Sequence, residues 1–263
     1  MINLDTMRAG LAQGEFFLEY LPTVSLTDGR CIGAEALVRW RRATGVVPPG
    51  DFIPLADNTP LSGLITYLVI DTVATEIGDW LRANPDVHIS INVPPEILGR
   101  GGIWYAANKS GLIELASQIV LEITERGAPD LLGIDALNNV WRMGARVALD
   151  DVKIVGGANL ALLARCPFNT VKLDRSLVSQ IGPKCPSPDW LGGISALLQS
   201  SRLQVVAEGV ETEQQFMTLQ KANIQAAQGF YFSRPIPAAA LIAYHREALH
   251  SRPNRAPHLP GGA

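Results

Sequence analysis

Short apolar runs recur along the chain, and each ends in a carboxylate or a carboxamide: Ile32–Glu35, Val87–Asn92, Ile119–Glu122, Val147–Asp151, Val171–Asp174 and Val205–Glu208. Runs this short and this rich in Val and Ile predict buried strands. Longer segments between them predict helices: Thr59–Trp80, Pro94–Leu98, Ser110–Ser117, Asp130–Met143, Asn159–Arg165, Trp190–Ser200, Glu211–Lys221 and Ala238–Leu249. Gly144 stops the fourth of these, and Gly14 closes an N-terminal helix ending at Arg8–Gln13. Phe16–Leu26 and Arg30–Arg39 flank the turn Thr27-Asp28-Gly29-Arg30, so the opening strand pair is expected to be antiparallel. A last strand is expected over Ala227–Phe232. Strand–helix alternation over most of the chain predicts parallel strands with crossover helices. Eight strands ringed by helices form an α/β, TIM-type (β/α)8 barrel, here with an antiparallel first pair, over residues 1–250. The Pro-, Gly- and Arg-rich tail 251–263 is expected to be disordered.

Composition narrows this reading. A chain of 263 residues, nearly half of them apolar, can bury a large core. A formal net charge of −3 gives no sign of a nucleic-acid coat. Cys31, Cys166 and Cys185 are odd in number and lack metal-ligand spacing, as expected of reduced cysteines in a cytoplasmic protein. Met1–Gln13 carries Asp5 and no apolar leader run. Asp71 and Glu76 interrupt the longest apolar stretch, Leu61–Ile77. It reads as a core-facing helix and not a bilayer span, so no membrane contact is expected.

The strand-end acids change the picture most. In a barrel they share one end, and acids gather in an interior only around something cationic, because an unpaired buried charge is very costly. A divalent metal is the simplest candidate. Singly, each residue has a plainer reading: Glu35 as a salt-bridge partner, Asp150-Asp151 as a helix cap, Lys172 as a solvated lysine. The joint pattern favours the shared site. Glu211 suits a helix N-terminus. Arg39-Trp40-Arg41-Arg42 is too short for a nucleic-acid patch. His88, His245, His250 and His258 lack ligand spacing. Gly101-Gly102, Gly156-Gly157 and Gly192-Gly193 lack a phosphate-loop ending and read as turns.

Glu35-Ala36-Leu37-Val38-Arg39-Trp40 resembles the signature of the EAL-domain family, the cyclic di-GMP phosphodiesterases. Further motifs follow in the family's order: Ser90-Ile91-Asn92, Leu121–Glu125, Asp150-Asp151, Lys172-Leu173-Asp174, Ala207–Glu211 and Gln228-Gly229-Phe230. The resemblance runs from about Phe16 to Pro235. It implies hydrolysis of one phosphodiester bond of cyclic di-GMP to linear pGpG with two Mg²⁺ or Mn²⁺ ions. Carried over motif by motif, Glu35, Asn92, Glu122 and Asp150 bind one ion, and Asp150 bridges to a second held with Asp151 and Glu208. Lys172 orients the attacking water, Arg39 contacts a phosphate oxygen, and Gln228 lies near the water. Asp174 orients Lys172, and Glu125 steadies the loop after the paired aspartates. Relatives often dimerise through helices beside that loop, so a homodimer is expected.

Two departures stand out. Relatives continue the paired aspartates with Phe-Gly-Thr-Gly-Tyr-Ser-Ser, whereas this chain reads Val152-Lys153-Ile154-Val155-Gly156-Gly157-Ala158-Asn159. Stiff β-branched residues there replace a flexible, hydroxyl-bearing turn. Where relatives tend to carry Tyr-Gln-Pro, this chain has Tyr20-Leu21-Pro22. Leu21 cannot hydrogen-bond a nucleotide, which bears on substrate binding. The alternative function is therefore a weak or inactive domain that acts as a cyclic di-GMP receptor or protein-interaction module.

Overall fold

A computed structural model describes residues 1–124, 130–153 and 166–250. Its strands are β1 (Phe16–Ser25), β2 (Cys31–Arg42), β3 (Gly45–Val47), β4 (His88–Asn92), β5 (Ile119–Thr124), β6 (Arg146–Val152), β7 (Thr170–Leu173), β8 (Gln204–Ala207) and β9 (Ala226–Ala227). They hydrogen-bond in the order β1-β9-β8-β7-β6-β5-β4-β2-β3, and β1 also pairs with β2. That pairing closes an eight-stranded barrel and leaves β3 as an appendage of β2. β1 runs antiparallel to both of its neighbours, and the pairs from β2 through β4 to β9 are parallel.

Two apolar layers hold the barrel together. Along β1, Phe16, Leu18, Tyr20 and Val24 are buried under the helices, and the alternate residues Phe17, Glu19, Leu21 and Thr23 take the opposite face. The helix Pro60–Ala83 buries Leu61, Ile65, Val69, Val73, Ile77 and Leu81, a four-residue repeat that makes one continuous stripe. Its 24 residues are long and apolar enough to cross a membrane, contrary to the sequence expectation. The buried stripe nevertheless makes it a core helix, as expected. Thr59 caps its start, accepting from the Leu61 N–H. The reciprocal cap of Thr212 and Gln215 fixes the start of Glu213–Lys221.

Several elements differ from the sequence reading. The last strand is only Ala226–Ala227 and does not reach Phe232. Gly229, at φ +149, packs so tightly on the Val210 backbone that a Cβ there would overlap it. The chain turns at that point, and the Phe232 N–H bonds to the Gly229 carbonyl. Gly192-Gly193 lie inside the helix Trp190–Ser200 and form no turn. Gly101 turns with positive φ, but Gly102 opens an unforeseen helix, Gly102–Ser110, where a side chain would overlap the Tyr67 ring. Leu112–Gln118 is 3-10 rather than α-helical. Gln118 ends it by donating to the carbonyls of Leu81, Asn84 and Val87. Glu211 precedes the N-cap Thr212, so it lies outside the helix. Strand β3 and the short helix Arg175–Val178 had no clear apolar period. The helix expected over Asn159–Arg165 and the tail 251–263 lie outside the described residues.

Gly33 tests the closure of β2 onto β4. A Cβ at this position would overlap the backbone carbonyl of His88, which cannot move without opening the barrel. Gly33→Ala is expected to lower unfolding free energy by about 1–3 kcal/mol in denaturant titration. Gly50→Ala, which meets nothing within 4 Å, should stay within about 0.5 kcal/mol of the parent. Equal effects of the two would contradict this mode of closure.

Candidate functional site

The inward side chains converge on Lys172, which is only 2% exposed. Its Nζ lies 3.0 Å from Glu35 Oε2, 2.8 Å from Glu122 Oε2, 3.2 Å from Asp150 Oδ1 and 2.7 Å from Glu208 Oε1. The four acids come from β2, β5, β6 and the residue just after β8. Parallel register brings them level: Glu35 pairs with Ser90, Asn92 with Glu122, and Lys172 with Val206. Asn92, at the end of β4, donates from Nδ2 to Glu35 Oε1 at 2.8 Å. Thus Glu35 is held from two sides, by an ammonium and an amide.

The electrostatics are those of a cation site with too little cation. Burial works against the Lys172 ammonium, but Asp150, Glu122, Glu208 and Glu35 outweigh it and raise its pKa. Burial also pushes the Glu35 carboxyl up. There the charge of Lys172 and the hydrogen bonds of Lys172 and Asn92 win, and its pKa falls below the ordinary value. For Glu122, burial and the neighbouring Glu35 charge prevail over Lys172, and the carboxyl is raised well above the usual range. Burial likewise pushes Glu208 up to about 8 against the pull of Lys172. One ammonium therefore cannot keep every acid in this cluster ionised near neutral pH.

The donor set fits divalent metal. Ligand oxygens of Asp150, Asp151 and Glu208 all lie within 4.8 Å of one another. Asp150 Oδ1 is buried and accepts no hydrogen bond from the described residues, because the approach of Lys172 is close but poorly aimed. Asp151 adopts φ +57, unusual for a residue with a side chain, of the kind that persists only where surrounding contacts enforce it. All-oxygen donors with several carboxylates suit a hard dication such as Mg²⁺ or Mn²⁺.

Of the other residues singled out from sequence, Gln228 is buried just past β9 and shares the barrel cavity with Glu122 and Lys172. Its Nε2 donates to Thr23 Oγ1 at 2.8 Å, and its Oε1 has no partner among the described residues. Leu21 sits directly opposite Glu35 across the β1–β2 pair. Arg39, two inward positions above Glu35, donates from Nε to Glu19 Oε2 at 2.8 Å and from Nη1 to the Val38 carbonyl at 3.1 Å. Asp174 departs from expectation. Its Oδ1 accepts the Ser176 N–H and caps the helix Arg175–Val178, and it makes no hydrogen bond or ion pair with Lys172. It lies just past the end of β7, where the chain leaves the strand and enters that helix. Glu125, and the part of the altered loop from Ile154 to Asn159, lie outside the described residues. The rest of the basic run is engaged locally: Trp40 donates to Glu15, Arg41 stacks on Phe17, and Arg42 stacks on Trp40. His245 packs edge-on against Trp80.

Glu19 and Thr23 escaped the sequence reading. Both share the two-residue phase of Leu21 on β1, and that phase was the available signal. Their roles depend on cross-strand neighbours, which only the barrel supplies.

Comparison with known proteins agrees with this geometry. The EAL domain family matches residues 4–235. An uncharacterized protein of Mycobacterium tuberculosis is 37% identical over 242 residues, which span 89% of this chain and 39% of that protein. PdeB of Escherichia coli, described as a probable cyclic di-GMP phosphodiesterase, is 32% identical over 88% of this chain and 45% of its own length. The chain thus spans less than half the length of these curated relatives. The solved structure of the PaMucR phosphodiesterase in complex with c-di-GMP superposes with a TM-score of 0.80 at 31% identity, over 90% of this chain and 98% of that one.

The raised Glu208 yields a pH prediction. Between the ordinary carboxylate pKa near 4.3 and about 8, the folded protein retains a proton that the unfolded chain has lost. Without divalent metal, stability should therefore fall as pH rises through that window. Metal binding requires the ionised carboxylates, so the increase in melting temperature on adding Mn²⁺ should be larger at pH 8 than at pH 5.5. Thermal denaturation at the two pH values measures this, and a gain independent of pH would contradict it.

Proposed function

Because the chain belongs to the EAL domain family, we propose that it hydrolyses cyclic di-GMP to linear pGpG in bacterial second-messenger signalling. The observation that carries this reading is the convergence of Glu35, Glu122, Asp150 and Glu208 on one buried cation. Few constraints other than a metal-dependent phosphoryl site gather so many acids from separate strands.

Glu35, Asn92, Glu122, Asp150, Asp151 and Glu208 would hold two Mg²⁺ or Mn²⁺ ions. Together the five carboxylates and Lys172 leave four excess negative charges when all are ionised, the charge that two dications neutralise. When bound, the ions supply Lewis-acid activation of water and offset charge on the phosphate. The chain's own groups do the rest. With the acids engaged by metal, an N–H of Lys172 would be released to hold the attacking water and offset developing charge on the phosphate. Arg39 binds a phosphate oxygen through its guanidinium. Gln228, with one amide end fixed by Thr23 and its Oε1 unpartnered among the described residues, can accept from a water molecule in the cavity. Asp174 acts on Lys172 only indirectly, by anchoring the turn that follows it.

The competing reading is a receptor that binds cyclic di-GMP without turnover. The altered stretch Val152–Asn159 and the apolar Leu21 favour it. Leu21 faces Glu35 and offers no hydrogen bond to a nucleotide. Every residue proposed as a ligand is present, however, and a chain that only bound nucleotide would have little reason to keep five buried or half-buried acids together.

Incubation with cyclic di-GMP and Mg²⁺ or Mn²⁺, followed by chromatography, separates the two. We expect pGpG from the parent, none from Glu35→Ala, and a loss of roughly 10²–10³-fold in kcat for Lys172→Ala. Ca²⁺ should inhibit, because it prefers a larger and looser oxygen cage. Binding without product would establish the receptor.

A cytoplasmic location and a homodimer complete the proposal. The dimer is supported by Leu131, Leu132, Trp141 and Met143, which are exposed along the helix Leu131–Arg142 and just past its end. Sedimentation should find a dimer for the parent and a monomer for Leu131→Glu. A monomeric parent would exclude it.

A further inference from the structure

Arg39 is aimed by Glu19. On the inward face of the β1–β2 pair, Phe17 stands opposite Arg39 and Glu19 opposite Leu37. The Glu19 carboxylate therefore sits diagonally across from the guanidinium. It accepts from Arg39 Nε at 2.8 Å, and the carbonyl of Val38 accepts from Nη1 at 3.1 Å. The Arg39 side chain is 13% exposed and that of Glu19 is 30% exposed. This is not a surface pair with two free-swinging chains, because both side chains rise from paired strands of a closed barrel. Nη2 is the nitrogen of Arg39 left without a hydrogen-bond partner among the described residues. The neighbouring cation on the same face of the ribbon, Arg41, is stacked on Phe17.

We propose that Glu19 is a positioning residue for the substrate phosphate. By occupying Nε, it fixes the rotation of the guanidinium and presents Nη2 to a phosphodiester oxygen. Without that anchor, Arg39 would swing among rotamers and lose the entropy advantage of a preset donor. Glu19 also denies the ligand the Nε edge, so Arg39 meets a single oxygen end-on and makes no side-on fork. A diester phosphate, with one negative charge shared by two oxygens, suits such a contact. The inference rests on the phosphodiesterase reading for its substrate, but the orientation of Arg39 is a property of the chain alone.

Steady-state kinetics with cyclic di-GMP and Mn²⁺ test it, together with NMR of the Arg39 Nε–H in the nucleotide-free protein. Glu19→Ala should raise KM about tenfold and leave kcat within about twofold, the signature of lost binding common to ground and transition states. Glu19→Gln, which keeps an acceptor, should restore most of that loss. Glu19→Ala combined with Arg39→Ala should be no worse than Arg39→Ala alone, because the first acts only through the second. The Nε–H should be protected from exchange in the parent and lose protection in Glu19→Ala. Additive losses in the double variant, an unchanged KM in Glu19→Ala, or an unprotected Nε–H in the parent would each overturn the proposal. If the parent binds cyclic di-GMP without hydrolysing it, the phosphodiesterase reading fails. The same variants are then read as dissociation constants, and an unchanged affinity in Glu19→Ala overturns the positioning role on its own.

Discussion

The contact of one lysine ammonium with four carboxylates organises the inside of this barrel. Lys172 is almost wholly buried, and its partners come from elements far apart in sequence, from β2 to the residue after β8. Removing the ammonium alone would strand the carboxylates in a medium that solvates them poorly. The cluster therefore constrains strand register across half the barrel. It also explains why Glu122 and Glu208 are pushed toward the protonated form. The same frustration that makes the cluster costly for folding makes it receptive to dications. Asp151, at positive φ, and the buried Oδ1 of Asp150, without a hydrogen bond among the described residues, border the same cluster.

Around this cluster the barrel supplies rigidity, and its entrance supplies recognition. Closure through the antiparallel β1 brings a second ladder, Glu19, Leu21 and Thr23, against the EAL strand β2. The three residues divide the work. Glu19 holds Arg39, Leu21 lines the wall opposite Glu35, and Thr23 holds Gln228. Gly229 allows the backbone after Gln228 to press on Val210, and this keeps the amide inside the barrel. Arg39, proposed for recognition, and Glu35 of the acid cluster thus stand on one strand, β2.

The architecture was legible in the sequence because its signals are local and redundant. Val- and Ile-rich runs placed most of the strands within a few residues, and the helix Trp190–Ser200 was placed without error. The acids at strand ends marked the site because a barrel brings those ends together. What stayed hidden depends on contacts rather than on pattern. The two-residue β9 is cut short by a backbone approach at Gly229 that no period reveals. Gly192-Gly193 read as a turn because glycine lowers helix propensity, yet packing of Trp190, Leu191 and Ile194 carries the helix through them. Asp174 looked like a partner of Lys172 from its spacing, but the strand ends at Leu173 and the Asp174 carboxylate caps the helix that follows. Glu19 was invisible as a functional residue because its meaning lies in a neighbour 20 positions away.

Whether these acids exist to bind metal comes down to how many dications the cluster holds. Titration of Mn²⁺ followed by electron paramagnetic resonance, with cyclic di-GMP present, should show two bound ions per chain with spin coupling between them, and Asp150→Asn should remove the coupling. A protein that takes up no Mn²⁺ under these conditions, or whose binding is unaffected by loss of Asp150, would show that the acids around Lys172 serve the fold alone.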